Sequence, residues 1–239
     1  METLEESTRS LIFTEEVVGG KRSSRVAHEQ TSEEIEEEFR KAYPESVAEF
    51  AYHLWNAICH LNLSMAAYSQ LYSSKEVLEI LNSSARRFFS LLQSWLPWTI
   101  YLQIGRLTDP AQSGTRSGLR SNASFVGFVK VLRDAGETAA ADALDKDYKA
   151  LEPDVQKIRN IRNRMLAHAD LQTVLRKESP LPDISHEELE ALVDKIGKTY
   201  NRIDARFRGK QTNFEGMGTS TGVDALTAFL ERGVKSFER

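Results

Sequence analysis

The 239-residue chain carries 31 Lys and Arg against 35 Asp and Glu, a formal net charge of −4, with 41% hydrophobic residues, five His and one Cys. Domains usually run about 100–200 residues, so the length admits one large or two small domains with a full hydrophobic core. The acidic balance excludes a protein that coats nucleic acid through bulk positive charge, and the lone Cys59 excludes an internal disulfide or a multi-thiolate zinc site, which makes a cytoplasmic setting the simplest expectation.

Residues 1–30 mix acidic side chains with Gly19-Gly20-Lys21-Arg22-Ser23-Ser24-Arg25 and lack the apolar core of a signal peptide, so a flexible acidic arm is expected there. Residues 1–42 hold six basic and eleven acidic side chains, net −5, which leaves +1 for the rest of the −4 chain. Beyond the arm, apolar residues recur with the helical period, and strands bounded by Asn-Gly or Asp-Gly are absent. The spacing predicts an all-α protein.

Thr31 followed by Glu34 is a capping-box start, and Ile35 and Phe39 carry its apolar face until Pro44. A long helix from about Glu45 to Leu71 follows, with Val47, Phe50, Leu54, Ile58, Leu61 and Met65 in register. Ser73 with Glu76 opens the next. Between Arg87 and Arg106 lie eighteen residues without a charge, close to the length of a membrane span. Ser90, Gln93, Ser94, Pro97, Thr99 and Gln103 interrupt it, so a buried core helix is predicted instead, with Trp95, Trp98 and Leu102 at helical spacing and Pro97 marking a kink or break. No membrane partner is expected.

From Thr108 to Ser124 the composition is that of a long inter-helix loop, of a length often tied to function. Its Gly114, Arg116, Gly118 and Arg120 have the chemistry to hold phosphate, but the default is a plain connection. Helices are then predicted over Phe125 to Arg133, over Thr138 to Leu151, and from Pro153 onward, where proline suits a first turn. A further helix starts at the Ser185/Glu188 capping box and runs to about Phe207. Four glycines from Gly209 to Gly222 lead to a terminal amphipathic helix with Val223, Leu226, Leu230, Val234 and Phe237. The organisation expected is an arm at 1–30, one helical bundle at 31–208 and a linker with a C-terminal helix at 209–239.

Chemistry concentrates in Lys157-Ile-Arg159-Asn-Ile-Arg162-Asn163-Arg164-Met-Leu-Ala-His168-Ala-Asp170. Val155 to Ala169 holds four basic residues, no acidic one, and one His. On a helix, Ile158, Ile161, Met165 and Ala169 form an apolar stripe, with Lys157, Arg164 and His168 on one margin and Arg159 and Arg162 on the other. Packed against another helix, or against its own copy across a two-fold axis, this stripe would border a basic groove. Guanidinium forks hold phosphate oxygens bidentately. An imidazole with a pKa near 6.5 can take a proton from a ribose 2′-hydroxyl, and RNA supplies its own nucleophile, so no metal is needed. The bland alternative is a packed helix with a solvated basic margin and His168 as a C-terminal cap. His53 and His60 lie on one face near Cys59 but lack the carboxylates of a metal site, so no metal or cofactor is expected.

Arg162-Asn163, four further residues and His168 resemble the Arg-x(4–6)-His motif of the HEPN superfamily. Arg-Asn-x-x-x-Leu/Met-Ala-His-x-Asp, together with Gln103-Ile-Gly-Arg106-Leu107-Thr-Asp109-Pro110, is similar to its abortive-infection branch. The resemblance spans about Ser32 to Arg208. It implies a HEPN-like up-and-down helical bundle, frequent homodimerisation, and a metal-independent endoribonuclease in phage defence or a toxin–antitoxin system. Arg162, His168 and Asn163 would then be catalytic, and Arg164, Arg159 and Lys157 substrate-binding. A non-catalytic dimerisation or regulatory module, binding a partner protein or a nucleotide, is the alternative.

Overall fold

A computed structural model describes residues 10–11, 14–18, 21–24, 29–115, 118–167 and 183–237 of the chain. Its described residues form α1 (Ser32–Ala42), α2 (Glu45–Tyr72), α3 (Lys75–Leu107), α4 (Phe125–Asp134), α5 (Thr138–Ile161), α6 (His186–Arg208) and α7 (Val223–Phe237). The all-α bundle predicted from periodicity is what forms. Both capping boxes are made: the Thr31 and Ser185 hydroxyls accept from the backbone N–H of Glu34 and Glu188, whose carboxylates reach back to the cap N–H groups. Ser74, one residue beyond the predicted Ser73, caps α3. Gly209 takes the left-handed conformation that ends α6, at φ 67°.

Helix α2 is the central strut, packing on α1, α3, α4 and α6. Leu54, Ile58 and Leu61 of α2 meet Phe39, Ile100, Ile104, Phe128 and Tyr200 in the main core, all fully buried. A second, smaller core joins Leu71 of α2, Leu81 and Phe89 of α3 and Val223 of α7. Helices α5 and α6 complete the bundle, with α4 on α5.

One end of the main core is ionic. Arg208 is only 3% exposed and Asp204 not at all, and the Arg208 Nε donates to Asp204 Oδ1 over 2.7 Å. The guanidinium lies 4.1 Å from the centre of the Phe39 ring, a cation–π arrangement, and the Tyr43 hydroxyl donates to Asp204 at 3.0 Å. Burial and the neighbouring Asp204 carboxylate push the Tyr43 phenol well above its ordinary pKa. The cluster ties α6 to α1 and, through Lys210–Glu38 and Trp55–Thr212 contacts, to the short strand after α6.

Short strands are more numerous than the sequence suggests: β1 (Ser10–Leu11), β2 (Thr14–Val18), β3 (Lys21–Ser24), β4 (Glu29–Gln30), β5 (Gln112–Thr115), β6 (Gly118–Ser121) and β7 (Lys210–Thr212). Within the stretch read as a flexible arm, β2 pairs antiparallel with β3, Val17 opposite Arg22, and with β7, Glu15 opposite Gln211. Val17-Val18 favours strand, and the Gly-Gly between β2 and β3 is a two-residue hairpin signal missed when only Asn-Gly and Asp-Gly are sought. Strands β5 and β6 form a hairpin inside the predicted loop; Arg120 is exposed, and Arg116 lies outside the described residues.

Three helical expectations are corrected. Helix α5 runs unbroken through Pro153, where a new helix was predicted. Buried Leu151 and Val155 on either side hold the segment in register although the proline lacks an N–H for the Lys149 carbonyl. Helix α3 likewise continues through Pro97 and is interrupted instead at Ala85, φ −138° and ψ 57°. Finally, Trp95 and Leu102 are 57% and 43% exposed, not core residues, with Trp98 half-buried between them. The α3 core face is set by Phe89, Ile100 and Ile104, and the tryptophans fall on the other side.

Candidate active site

The described part of the basic segment's apolar stripe, Ile158 and Ile161, faces inward. Both, with Val155 one turn before them, are buried in the bundle, so of the two arrangements expected for the stripe these residues take the packing against other helices of the same chain and not the pairing with a second copy. These residues anchor the last α-helical turn of α5. At Arg162, its C-cap, the winding loosens into a π-helical turn over Arg162–Ala167. Such wider turns are uncommon and are frequent at functional sites. His168 lies outside the described residues.

Arg162 turns its side chain toward the end of α3. Its Nη1 donates to Asp109 Oδ1 at 2.7 Å, and its Nε to the neighbouring Asn163 Oδ1 at 3.2 Å. The Arg162 and Asp109 side chains are 20% and 26% exposed, so this charge pair stands at the edge of solvent. Gly105 provides the space. A Cβ there would stand 2.6 Å from Arg162 Nη1 and 2.8 Å from its Cδ, so only glycine lets α3 approach the guanidinium this closely.

The segment bearing Asp109 is clamped from α5. The Thr108 hydroxyl donates to the Ile104 carbonyl at 2.8 Å and ends the helix. The Thr108 carbonyl accepts from the Tyr148 hydroxyl at 3.1 Å and from the Arg159 guanidinium. Arg159 also donates to the Tyr148 oxygen at 2.7 Å. Burial raises the Tyr148 pKa, with Arg159 working against the shift. Arg159, 19% exposed, thus faces the α3 terminus and not the open margin on which the sequence placed it.

Of the remaining cations, Lys157 pairs with Glu188 of α6 at 2.9 Å. That hydrogen bond raises the Lys157 pKa and lowers that of Glu188, which also serves the α6 capping box. Asn163 is exposed and Arg164 half-buried. Elsewhere, His53 faces Glu49 at 3.7 Å with 58% of its side chain exposed, and among the described residues no three His, Cys, Asp or Glu side chains converge as metal ligands would. Cys59 is buried, and burial pushes its thiol well above the ordinary range, which disfavours the thiolate that a nucleophile or metal ligand needs.

The structure therefore brings together Arg162, Asp109, Gly105, Arg159, Tyr148 and Thr108. Periodicity found the two arginines. It gives no sign of Tyr148, and the packing role of Gly105 is visible only as an isolated glycine inside an apolar helical run, which signals a close approach. Among the described residues, no helix is long and apolar enough to cross a membrane.

A family model described as HEPN_AbiU2, AbiU2, matches residues 44–237. No curated protein and no solved structure matches the chain.

Proposed function

The chain belongs to the AbiU2 family of HEPN-type abortive-infection proteins, and from that premise we propose that it is a metal-independent endoribonuclease of phage defence or of a toxin–antitoxin pair. The observation that carries the reading is Arg162: a partly exposed guanidinium, seated on Gly105 and oriented by Asp109, at the head of the π-helical turn that leads toward His168. A fixed cation at the edge of solvent suits a phosphoryl centre, where charge develops in the transition state.

In this reading His168 takes the proton of a ribose 2′-hydroxyl, whose oxygen attacks the adjacent phosphorus. The P–O5′ bond breaks, and the 5′-oxygen leaves as a hydroxyl after receiving a proton from water. His168 returns its own proton to solvent, and the other fragment keeps a 2′,3′-cyclic phosphate. Arg162 stabilises the charge on the non-bridging oxygens, and Asn163 donates a hydrogen bond. Arg164 and Lys157 bind the flanking backbone. Arg159, turned inward, serves through Thr108 and Tyr148 to fix the Asp109 segment. The protein acts as a homodimer, with RNA as substrate and an antitoxin or regulatory protein as a further partner.

The test is the product chemistry. Purified protein in EDTA should convert a mixed-sequence RNA to fragments with 2′,3′-cyclic phosphate and 5′-hydroxyl ends; products with 3′-hydroxyl and 5′-phosphate ends, or no cleavage, would overturn the proposal. A non-catalytic dimerisation module is the second reading, favoured by the commitment of Arg162 to Asp109. Absence of cleavage under all conditions would select it.

A further inference from the structure

Half of α3 has no cover. Beyond the break at Ala85 its side chains divide between two faces. Phe89, Leu92 and Leu96 belong to the smaller core with α7, and Ile100 and Ile104 to the main core. On the opposite side Phe88, Leu91, Trp95 and Leu102 are 56%, 51%, 57% and 43% exposed, with half-buried Trp98 in register between the last two. The stripe is about 20 Å long at the α-helical rise. Aromatic side chains cover about 150–250 Å² each, so Phe88 and Trp95 present roughly 250 Å² before the leucines are added. Open apolar patches of about 300–600 Å² are the largest on typical monomers and are often functional.

We propose that this stripe is the face on which a second copy of the chain docks, α3 against α3, about a two-fold axis near Trp95. Charge decides among occupants. No charged side chain lies between Arg87 and Arg106, so over some 27 Å of helix the stripe offers a phosphate backbone no cation to bind, which disfavours an RNA track. It equally offers no charge for an acidic or basic partner to match. A two-fold pairing sets this neutral surface against itself, and steps of three and four residues let the side chains of one helix fill the gaps of the other.

The area fits as well. A stable interface covers about 800 Å² per partner around an apolar centre with a polar rim. The stripe supplies the centre, and Ser90, Ser94, Thr99 and the terminal arginines supply the rim. Past Ala85 the apolar surface adjoins α7, where Phe229 is 69% exposed and lines a shallow concavity with Ser83, Ser84 and Val234. At its other end, Leu102 stands one turn before Gly105, so the second copy runs alongside the edge of the Arg162 site.

The inference rests on the dimeric part of the proposed function and not on RNA cleavage. Sedimentation velocity of the full chain at 1–100 µM (on the order of typical dimer affinities) should show a dimer. Leu91→Glu with Trp95→Glu should shift it to monomer, with the far-UV circular dichroism retained because both positions are exposed. His168→Ala should stay dimeric. Trp95→Cys should cross-link across the axis under mild oxidation, with buried Cys59 silent. A wild-type monomer would overturn both this face and the dimeric reading. A dimer untouched by the double substitution and uncrosslinked at position 95 would overturn the face alone. Weaker RNA binding by an intact double-Glu dimer would also overturn it and assign the stripe to RNA.

Discussion

Replacing Gly105 by alanine tests whether the seat of Arg162 matters to chemistry or only to packing. The added Cβ would stand 2.6 Å from Arg162 Nη1, where ordinary contact begins at 3.4 Å, so the guanidinium must retreat by about 0.8 Å, the difference of the two. Its 2.7 Å bond to Asp109 cannot survive unchanged. The cost to stability is small, because overpacking of about 1–3 kcal/mol is offset by about 1 kcal/mol of helix propensity gained over glycine. The cost to catalysis is larger, since a misplacement near 1 Å can lower rate by about 100-fold. Urea unfolding should place Gly105→Ala within about 2 kcal/mol of wild type, while single-turnover cleavage of a labelled RNA in EDTA falls by about 10- to 100-fold. Wild-type cleavage by the folded variant would refute a catalytic role for the position of Arg162.

Other parts of the fold make their own predictions. Arg208→Ala leaves the Asp204 carboxylate in a fully buried site without its partner, so urea unfolding should show a loss of about 3–5 kcal/mol; a loss under 1 kcal/mol would mean the pair is not what closes that end of the core. Burial works against ionisation of Glu38, but hydrogen bonds from Lys210 and Gln30 outweigh it and hold its carboxyl below the ordinary value. Its stabilising effect is therefore present above about pH 4.3 and lost as pH falls through the lowered native value. Glu38→Gln should unfold at lower urea than wild type at pH 7, with the gap closing toward pH 3; a gap independent of pH would contradict this. Tyr148→Phe removes the hydroxyl that links Arg159 to the Thr108 carbonyl and should cost about 1 kcal/mol in thermal unfolding, and an unchanged melting temperature would count against the clamp.

What was legible in the sequence is what is local. The Thr31/Glu34 and Ser185/Glu188 boxes form as predicted because each is decided within four residues. Periodicity placed the helices, and the spacing of Arg162 and His168 located the segment that leaves the α-helical path at Arg162. The helix continues through both predicted breaks, Pro97 and Pro153; at Pro153 tertiary packing overrides the proline signal, because Leu151 and Val155 on either side are buried. The Arg162–Asp109 contact joins residues 53 apart in the chain and has no local signature beyond the glycine that makes room for it. Periodicity also cannot tell a stripe buried in its own bundle from one left open. Ile158 and Ile161 looked like an interface and are core, while Trp95 and Leu102 looked like core and face solvent.

Arg162 and His168 are proposed to cut RNA together without a metal. The most direct measurement is cleavage of a mixed-sequence RNA in EDTA by the wild-type protein and by Arg162→Ala and His168→Ala variants shown by circular dichroism to be folded. Cleavage is expected from the wild type and should be lost in both variants. Undiminished cleavage by folded His168→Ala would contradict it.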